Sequence, residues 1–193
     1  MLTLIQTNEA SVELSDGQEP KAGQFYYKPK QLMIDGPVVN IVYIKQCKMT
    51  TEFNKKITRD KSHYLVGGVL DGTADPFIMY IKGVSYAEVW ELFNQTRPWR
   101  KHKVSPVAMF AFKVRLYTEK KDTDFGKKWA VCYEMIADAN GTPVIEDDIE
   151  RLRMLDSAVD SCEAMVQGII TKNIDDYGMA EPSFAEPPLP EED

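Results

Sequence analysis

The chain has 193 residues, 44% of them hydrophobic and 10% aromatic, and a net charge of −7. That is enough for one well-packed core with a tail to spare, and no apolar run approaches the roughly 20 residues of a membrane span. Three widely separated cysteines (Cys47, Cys132, Cys162) exclude a disulfide framework and fit reduced thiols, so a cytoplasmic setting is expected.

Residues 1–35 are mixed. Gln24-Phe25-Tyr26-Tyr27 reads as a short strand. Residues 38–49, rich in Val, Ile and Tyr, have strand composition. Residues 50–63 are polar and basic (Lys55, Lys56, Arg59, Lys61) and read as a loop or hairpin end. Strands are expected over 64–70, closed by Asp71-Gly72, and over 77–82, ended by Gly83. On the second of these, Tyr80 and Lys82 share a face opposite Phe77, Met79 and Ile81.

Ser85 with Glu88 three residues on is a capping box. The helix it opens runs to about Thr96 and stops before Pro98, with Val89, Leu92 and Phe93 on one face. Residues 107–118 alternate most clearly. One face holds Ala108, Phe110, Phe112, Val114 and Leu116, and the other ends in Lys113, Arg115 and Tyr117. A strand over 129–137 and an Asn140-Gly141 turn follow. A long helix is expected over about 145–172, seamed by Leu152, Leu155, Val159, Cys162, Val166 and Ile169. Glu146, Asp147, Asp148 and Glu150 sit where its dipole favours acids. Residues 174–193, with four prolines, read as a disordered acidic tail beyond a single domain at 1–173. At least five strands with an inserted and a terminal helix indicate a mainly β protein, an OB-like five-stranded antiparallel barrel.

Charge is laid out unevenly. From 97 to 128 there are ten Lys or Arg against three acids, net +7, whereas 174–193 holds seven acids and no Lys or Arg, net −7. A basic centre with interleaved aromatics predicts a polyanion-binding body. Arg97, Arg100, Lys101, Lys103, Lys113, Arg115 and Lys82 are the expected phosphate contacts, and Trp99, Tyr117 and Tyr80 the stacking rings. Pro98 is expected to keep the Trp99 indole out of a helix. The plainer alternatives are a solvated helix-to-strand loop for 97–103 and an ordinary exposed sheet face for the Lys113 row. Lys120, Lys121, Lys127 and Lys128 read more simply as a soluble connection.

Neither histidine (His63, His102) has metal-ligand spacing with the cysteines, and no phosphate-binding glycine loop or nucleophile elbow occurs. No catalytic role, metal or cofactor is therefore expected.

The block LDGTADPFIMYIKGVSYAEVWELFNQTRPWRKHKVSPVAMFAFKVRLYTEKKDTDFGKKWAVCYEM, residues 70–135, and the tail AEPPLPEED resemble the OB-fold single-stranded-DNA-binding proteins of tailed bacteriophages. The resemblance implies non-catalytic coating of DNA single strands in replication or recombination. It also implies recruitment of replication or recombination proteins by the tail. Relatives whose tails recruit partners finish in an aromatic residue; this sequence finishes Glu191-Glu192-Asp193, with Phe184 inside the tail. The rival reading is a protein-interaction or inhibitor module acting through its acidic helix and tail. The long helix also leaves a homodimer open.

Overall fold

A computed structural model describes residues 1–4, 14, 21–53, 56–124 and 126–177, with the side chains of 53, 59 and 60 left aside. It is mainly β, with antiparallel sheets and a C-terminal helix. Strands β1 (Leu2–Leu4), β2 (Phe25–Tyr27) and β3 (Leu32–Ile34) form a small antiparallel sheet. Strands β4 (Val38–Phe53), β5 (Lys56–Leu70), β6 (Pro76–Ile81), β7 (Lys113–Lys121) and β8 (Lys128–Met135) form a second sheet in the order β6-β5-β4-β7-β8. Helix α1 (Tyr86–Arg100) lies between β6 and β7, and α2 (Ile149–Tyr177) closes the described chain.

The barrel expected from the strand count is not closed. Among the described residues no ladder joins edge strand β6 to edge strand β8. α1 follows β6 after a 3₁₀ turn (Gly83–Ser85) and packs on β8, so a helix rather than hydrogen-bonded strands bridges the open side. Edge strand β8 is thereby protected, since the Val131 N–H is satisfied by the Ser85 hydroxyl at 2.8 Å.

The large sheet buries both faces, because its strands alternate between two cores. Along β5, Tyr64, Val66 and Leu70 enter a core shared with Leu2, Phe25, Tyr27, Val89 and Leu92. Leu65 and Val69 enter a second core beneath α2, with Leu155, Cys162, Val166 and Ile170. A bulge in β4 between Ile41 and Tyr43 keeps this pattern. Ile41 faces the first core, Val42 and Tyr43 the second, and Ile44 the first again. α2 crosses β5 at Gly67, where an added Cβ would lie 2.7 Å from the Cβ of Cys162. Only a residue without a side chain lets the helix approach so closely.

Several elements differ from the expectation. Residues 50–63 are not a loop: β4 and β5 run through them as one long hairpin that projects beyond β6, paired down to Phe53 and Lys56. Both faces of that arm meet water, so its polarity hides a strand. Lys55 lies outside the described residues.

The α1 capping box does not form. Ser85 makes no side-chain cap and instead receives Val131, while Glu88 pairs with Lys121. α1 also passes Pro98 and ends at Arg100. A proline inside a helix removes one ladder donor, and here only two helical residues follow it. The missing N–H takes the ladder donor from the Asn94 carbonyl, and just before it Thr96 Oγ1 donates to the Leu92 carbonyl at 2.9 Å and Arg100 Nη2 to that of Phe93 at 3.5 Å.

The strand expected over 107–118 begins only at Lys113, because Met109–Ala111 is a 3₁₀ turn. Its carbonyl neighbours Phe110 and Phe112 are held instead by the buried Asn40 amide, at 3.1 and 3.2 Å. α2 starts at Ile149, not 145. Ile145 is bridged to Phe112, and Asp148 Oδ1 accepts the N–H groups of Glu150 and Arg151 at 2.8 and 3.2 Å, as an N-cap does. The buried seam of α2 is Leu155, Ala158, Cys162, Val166 and Ile170, so Val159 and Ile169 fall to its margin. A straight helix has a 3.6-residue period, and a strict three-four repeat drifts off its buried line. Residues 174–177, which composition assigns to the tail, are the last turn of α2. The rest of the tail lies outside the described residues.

Candidate nucleic-acid interface

The ten expected contact residues fall into three places. The first is the end of α1. Arg97, Lys101 and Lys103 are exposed and form no ion pair among the described residues. Trp99 is different: it sits inside the helix, half-buried against the first core, and its carbonyl holds the N–H of Val107 at 3.2 Å. Arg100 is likewise committed. Its guanidinium lies 5.2 Å from the centre of the Phe93 ring and its Nε donates to Thr96 Oγ1 at 3.1 Å. Burial lowers its pKa.

The exposed indole of this region is Trp90, at 46%. At 100° per residue, Trp90, Asn94, Arg97 and Lys101 share one stripe of α1, opposite buried Val89, Leu92 and Thr96. The sequence reading names Trp99 and not Trp90, and a helix ending at Thr96 leaves Arg97 and Lys101 off the Trp90 stripe. Counting helical spacing through the proline is the signal that finds it.

The second place is the outer face of β7. Val114 and Leu116 are buried while Arg115 and Tyr117 are exposed, Tyr117 at 42%, which is the alternation expected. The cations of this row are paired. Lys113 reaches Asp71 at 3.4 Å and Glu146 at 3.5 Å, and Arg115 reaches Glu134 at 3.5 Å. Burial works against the Lys113 ammonium, yet its two carboxylates hold its pKa above the ordinary lysine value. The β7–β8 connection is also engaged: Lys121 pairs with Glu88, and the Lys120 ammonium lies 4.9 Å from the centre of the Trp129 ring. No hydrogen bond or ion pair among the described residues links this row to the end of α1.

The third place is a groove of about 460 Å³ where the β4–β5 arm passes beyond the cover of α2. Its floor carries Met49 from β4, His63 from β5, and Tyr80 and Lys82 from β6 and the residue after it. The last turns of α2 form the wall, with Lys172, Asn173, Asp176 and Tyr177. Tyr80 and Lys82 therefore do share a face, as the alternation of β6 requires. Tyr80 is 36% exposed, whereas Phe77, Met79 and Ile81 are buried on the other side. Burial, with Cys47 nearby, raises the Tyr80 pKa, so its hydroxyl stays neutral.

Cross-strand register sets the groove chemistry. Tyr64 pairs with Ile81 and His63 with Cys47, so the residues one step on, His63 and Lys82, are neighbours across β5 and β6. The Asn173 side chain ties the wall to the floor. Its Oδ1 accepts the Thr50 N–H at 3.0 Å and its Nδ2 donates to the Thr50 carbonyl at 2.8 Å. Thr50 sits beside a second register shift of the β4–β5 pair, between Met49 and Thr51. The groove presents a ring, two lysines and a histidine, together with Glu52 and Asp176. It can stack a flat ring and hold an anion, and its acids limit how much negative charge it tolerates.

No protein-family model, curated protein or solved structure matches the chain.

Proposed function

We propose that this chain binds single-stranded nucleic acid, with DNA as the first candidate, as a non-catalytic and largely sequence-independent binder. The observation that carries the reading is an open stacking-and-cation groove on the face of the second and third strands of a five-stranded sheet. The sheet's order, β6-β5-β4-β7-β8, with a helix between its third and fourth strands in chain order, supports an open OB-type arrangement. Proteins of that architecture bind oligonucleotides on the face of strands two and three and on the first and fourth hairpin loops. Here those positions are the β5–β6 face, the β4–β5 arm and the β7–β8 connection. Tyr80 is the stacking ring, and Lys82 and Lys172 hold phosphate. Arg97, Lys101 and Lys103 add positive charge at the end of α1, with Trp90 in the stacking role first given to Trp99. Lys113, Arg115 and Arg100 are already paired or stacked within the protein and contribute less.

Fluorescence titration with a mixed-sequence single-stranded oligonucleotide, against the matching duplex, tests the reading. Single-strand binding should weaken with salt by about 0.7 log units per log unit of salt for each phosphate neutralised. Tyr80→Ala and Lys82→Glu should each weaken it more than Lys113→Ala. Failure of the wild-type protein to bind at low salt refutes the proposal.

The rival reading, an acidic interaction module, draws on the outward face of α2, where Asp156, Asp160 and Glu163 are exposed at helical spacing. Charge reversal on that face distinguishes the two, because it leaves a groove binder intact and abolishes capture of a basic partner.

A further inference from the structure

His63 is only 2% exposed, yet it lines the groove. Its Nδ1 lies 2.8 Å from the Lys61 carbonyl, which is an acceptor and so requires a proton on Nδ1. In the neutral ring that proton leaves Nε2 with a lone pair. Nε2, the other polar atom of the ring, is not among the buried side-chain atoms left without a partner among the described residues. A nearly buried ring thus lines the groove with Lys82 beside it across the strand pair.

The groups around it come from every neighbouring element. β4 contributes Cys47 and Glu52, β5 contributes Lys61, β6 and the residue after it contribute Tyr80 and Lys82, and α2 contributes Lys172, Asp176 and Tyr177. Cys47, pushed up to about 11 chiefly by burial, and Tyr80, also raised, stay neutral near pH 7. Histidine is the side chain whose ordinary pKa falls between pH 5 and 8.

We infer that His63 is a proton-linked phosphate contact: an anion bound in the groove draws a proton onto Nε2, which then donates to it alongside Lys82. This rests on the groove being the nucleic-acid site. Without ligand, burial favours the neutral ring, the Lys61 carbonyl favours the charged one, and Lys82 disfavours it; the net effect is a lowered pKa. A phosphate offsets the Lys82 repulsion and accepts a hydrogen bond that only the protonated ring can donate. The bound form holds the proton more tightly than the free form, so binding takes up a proton and strengthens as pH falls between the two pKa values. One proton limits the effect to about tenfold in affinity per pH unit.

The test is fluorescence anisotropy of a labelled mixed-sequence single-stranded oligonucleotide from pH 8 to pH 5.5 at constant ionic strength. The wild-type protein and His63→Gln are compared; His102, exposed beside Lys101 and Lys103, is present in both. The expected result is a severalfold gain on acidification in the wild type and a much flatter profile in His63→Gln, the slopes rather than the absolute affinities being compared. Equal slopes in the two proteins overturn the inference while leaving the groove reading intact. Absence of binding by the wild type at every pH removes the groove reading and this inference with it. Should His63→Gln fail to fold, the wild-type His63 resonance is followed by NMR. Its midpoint must move to higher pH when the oligonucleotide is added, and an unmoved midpoint refutes the proton link.

Discussion

Asn173→Ala removes the two hydrogen bonds that tie the end of α2 to the backbone of Thr50 in β4. Met49 pairs with Lys61 and Thr51 with Thr58, so the register of β4 and β5 shifts by one residue beside Thr50. Thr50 is 2% exposed, so its backbone groups depend on protein partners, and the Asn173 amide meets its N–H at 3.0 Å and its carbonyl at 2.8 Å. At about 1 kcal/mol net for each bond, the substitution should cost roughly 2 kcal/mol. Asn173→Asp should recover only part, since a carboxylate accepts from the N–H but cannot donate to the carbonyl. Urea unfolding measures the loss, read as a lower midpoint at unchanged slope. The groove wall is also built on this tie, so oligonucleotide affinity should fall with stability. A loss under about 0.5 kcal/mol, the scale of an ordinary surface substitution, would refute the reasoning.

Gly67→Ala should destabilise by about 1–3 kcal/mol, because its Cβ would meet both the Cβ and the Sγ of Cys162, at 2.7 and 2.8 Å; thermal melting reads the loss, and a neutral outcome would mean that α2 can lift off β5 freely. Trp99→Ala should lower the melting temperature more than Trp90→Ala, while Trp90→Ala should weaken oligonucleotide binding more than Trp99→Ala; the reverse ranking would restore the half-buried indole as the stacking ring. The three thiols, all buried and each pushed up to about 11 chiefly by burial, should resist a thiol-reactive dye at pH 7.5 until denaturant is added. In the unliganded protein the lowered His63 pKa makes the unfolded chain the better proton acceptor, so stability should fall as pH drops through the unfolded value near 6.5, and less so in His63→Gln.

Much of the local structure was legible along the chain. Alternation over residues 112–117 determined which side chains of β7 are buried, because successive side chains of a strand point to opposite faces whatever lies around them. The same rule placed Tyr80 and Lys82 together, and helical spacing placed Leu155, Cys162 and Val166 beneath α2. What tertiary structure decided is how polar groups are used. Ser85 and Glu88 have the spacing of a capping box, but the edge of β8 and Lys121 compete for them and win. Lys113 and Arg115 read as free cations only while Asp71, Glu146 and Glu134 are unknown neighbours, two of them more than thirty residues away or carried on another segment. The groove joins residues 49–52, 63, 80–82 and 169–177. No local pattern brings those segments together; the register of three strands and the point where α2 runs past them do so. Propensity and periodicity act over a few residues, whereas an ion pair, a bulge and a groove wall are set by contacts between segments distant in the chain.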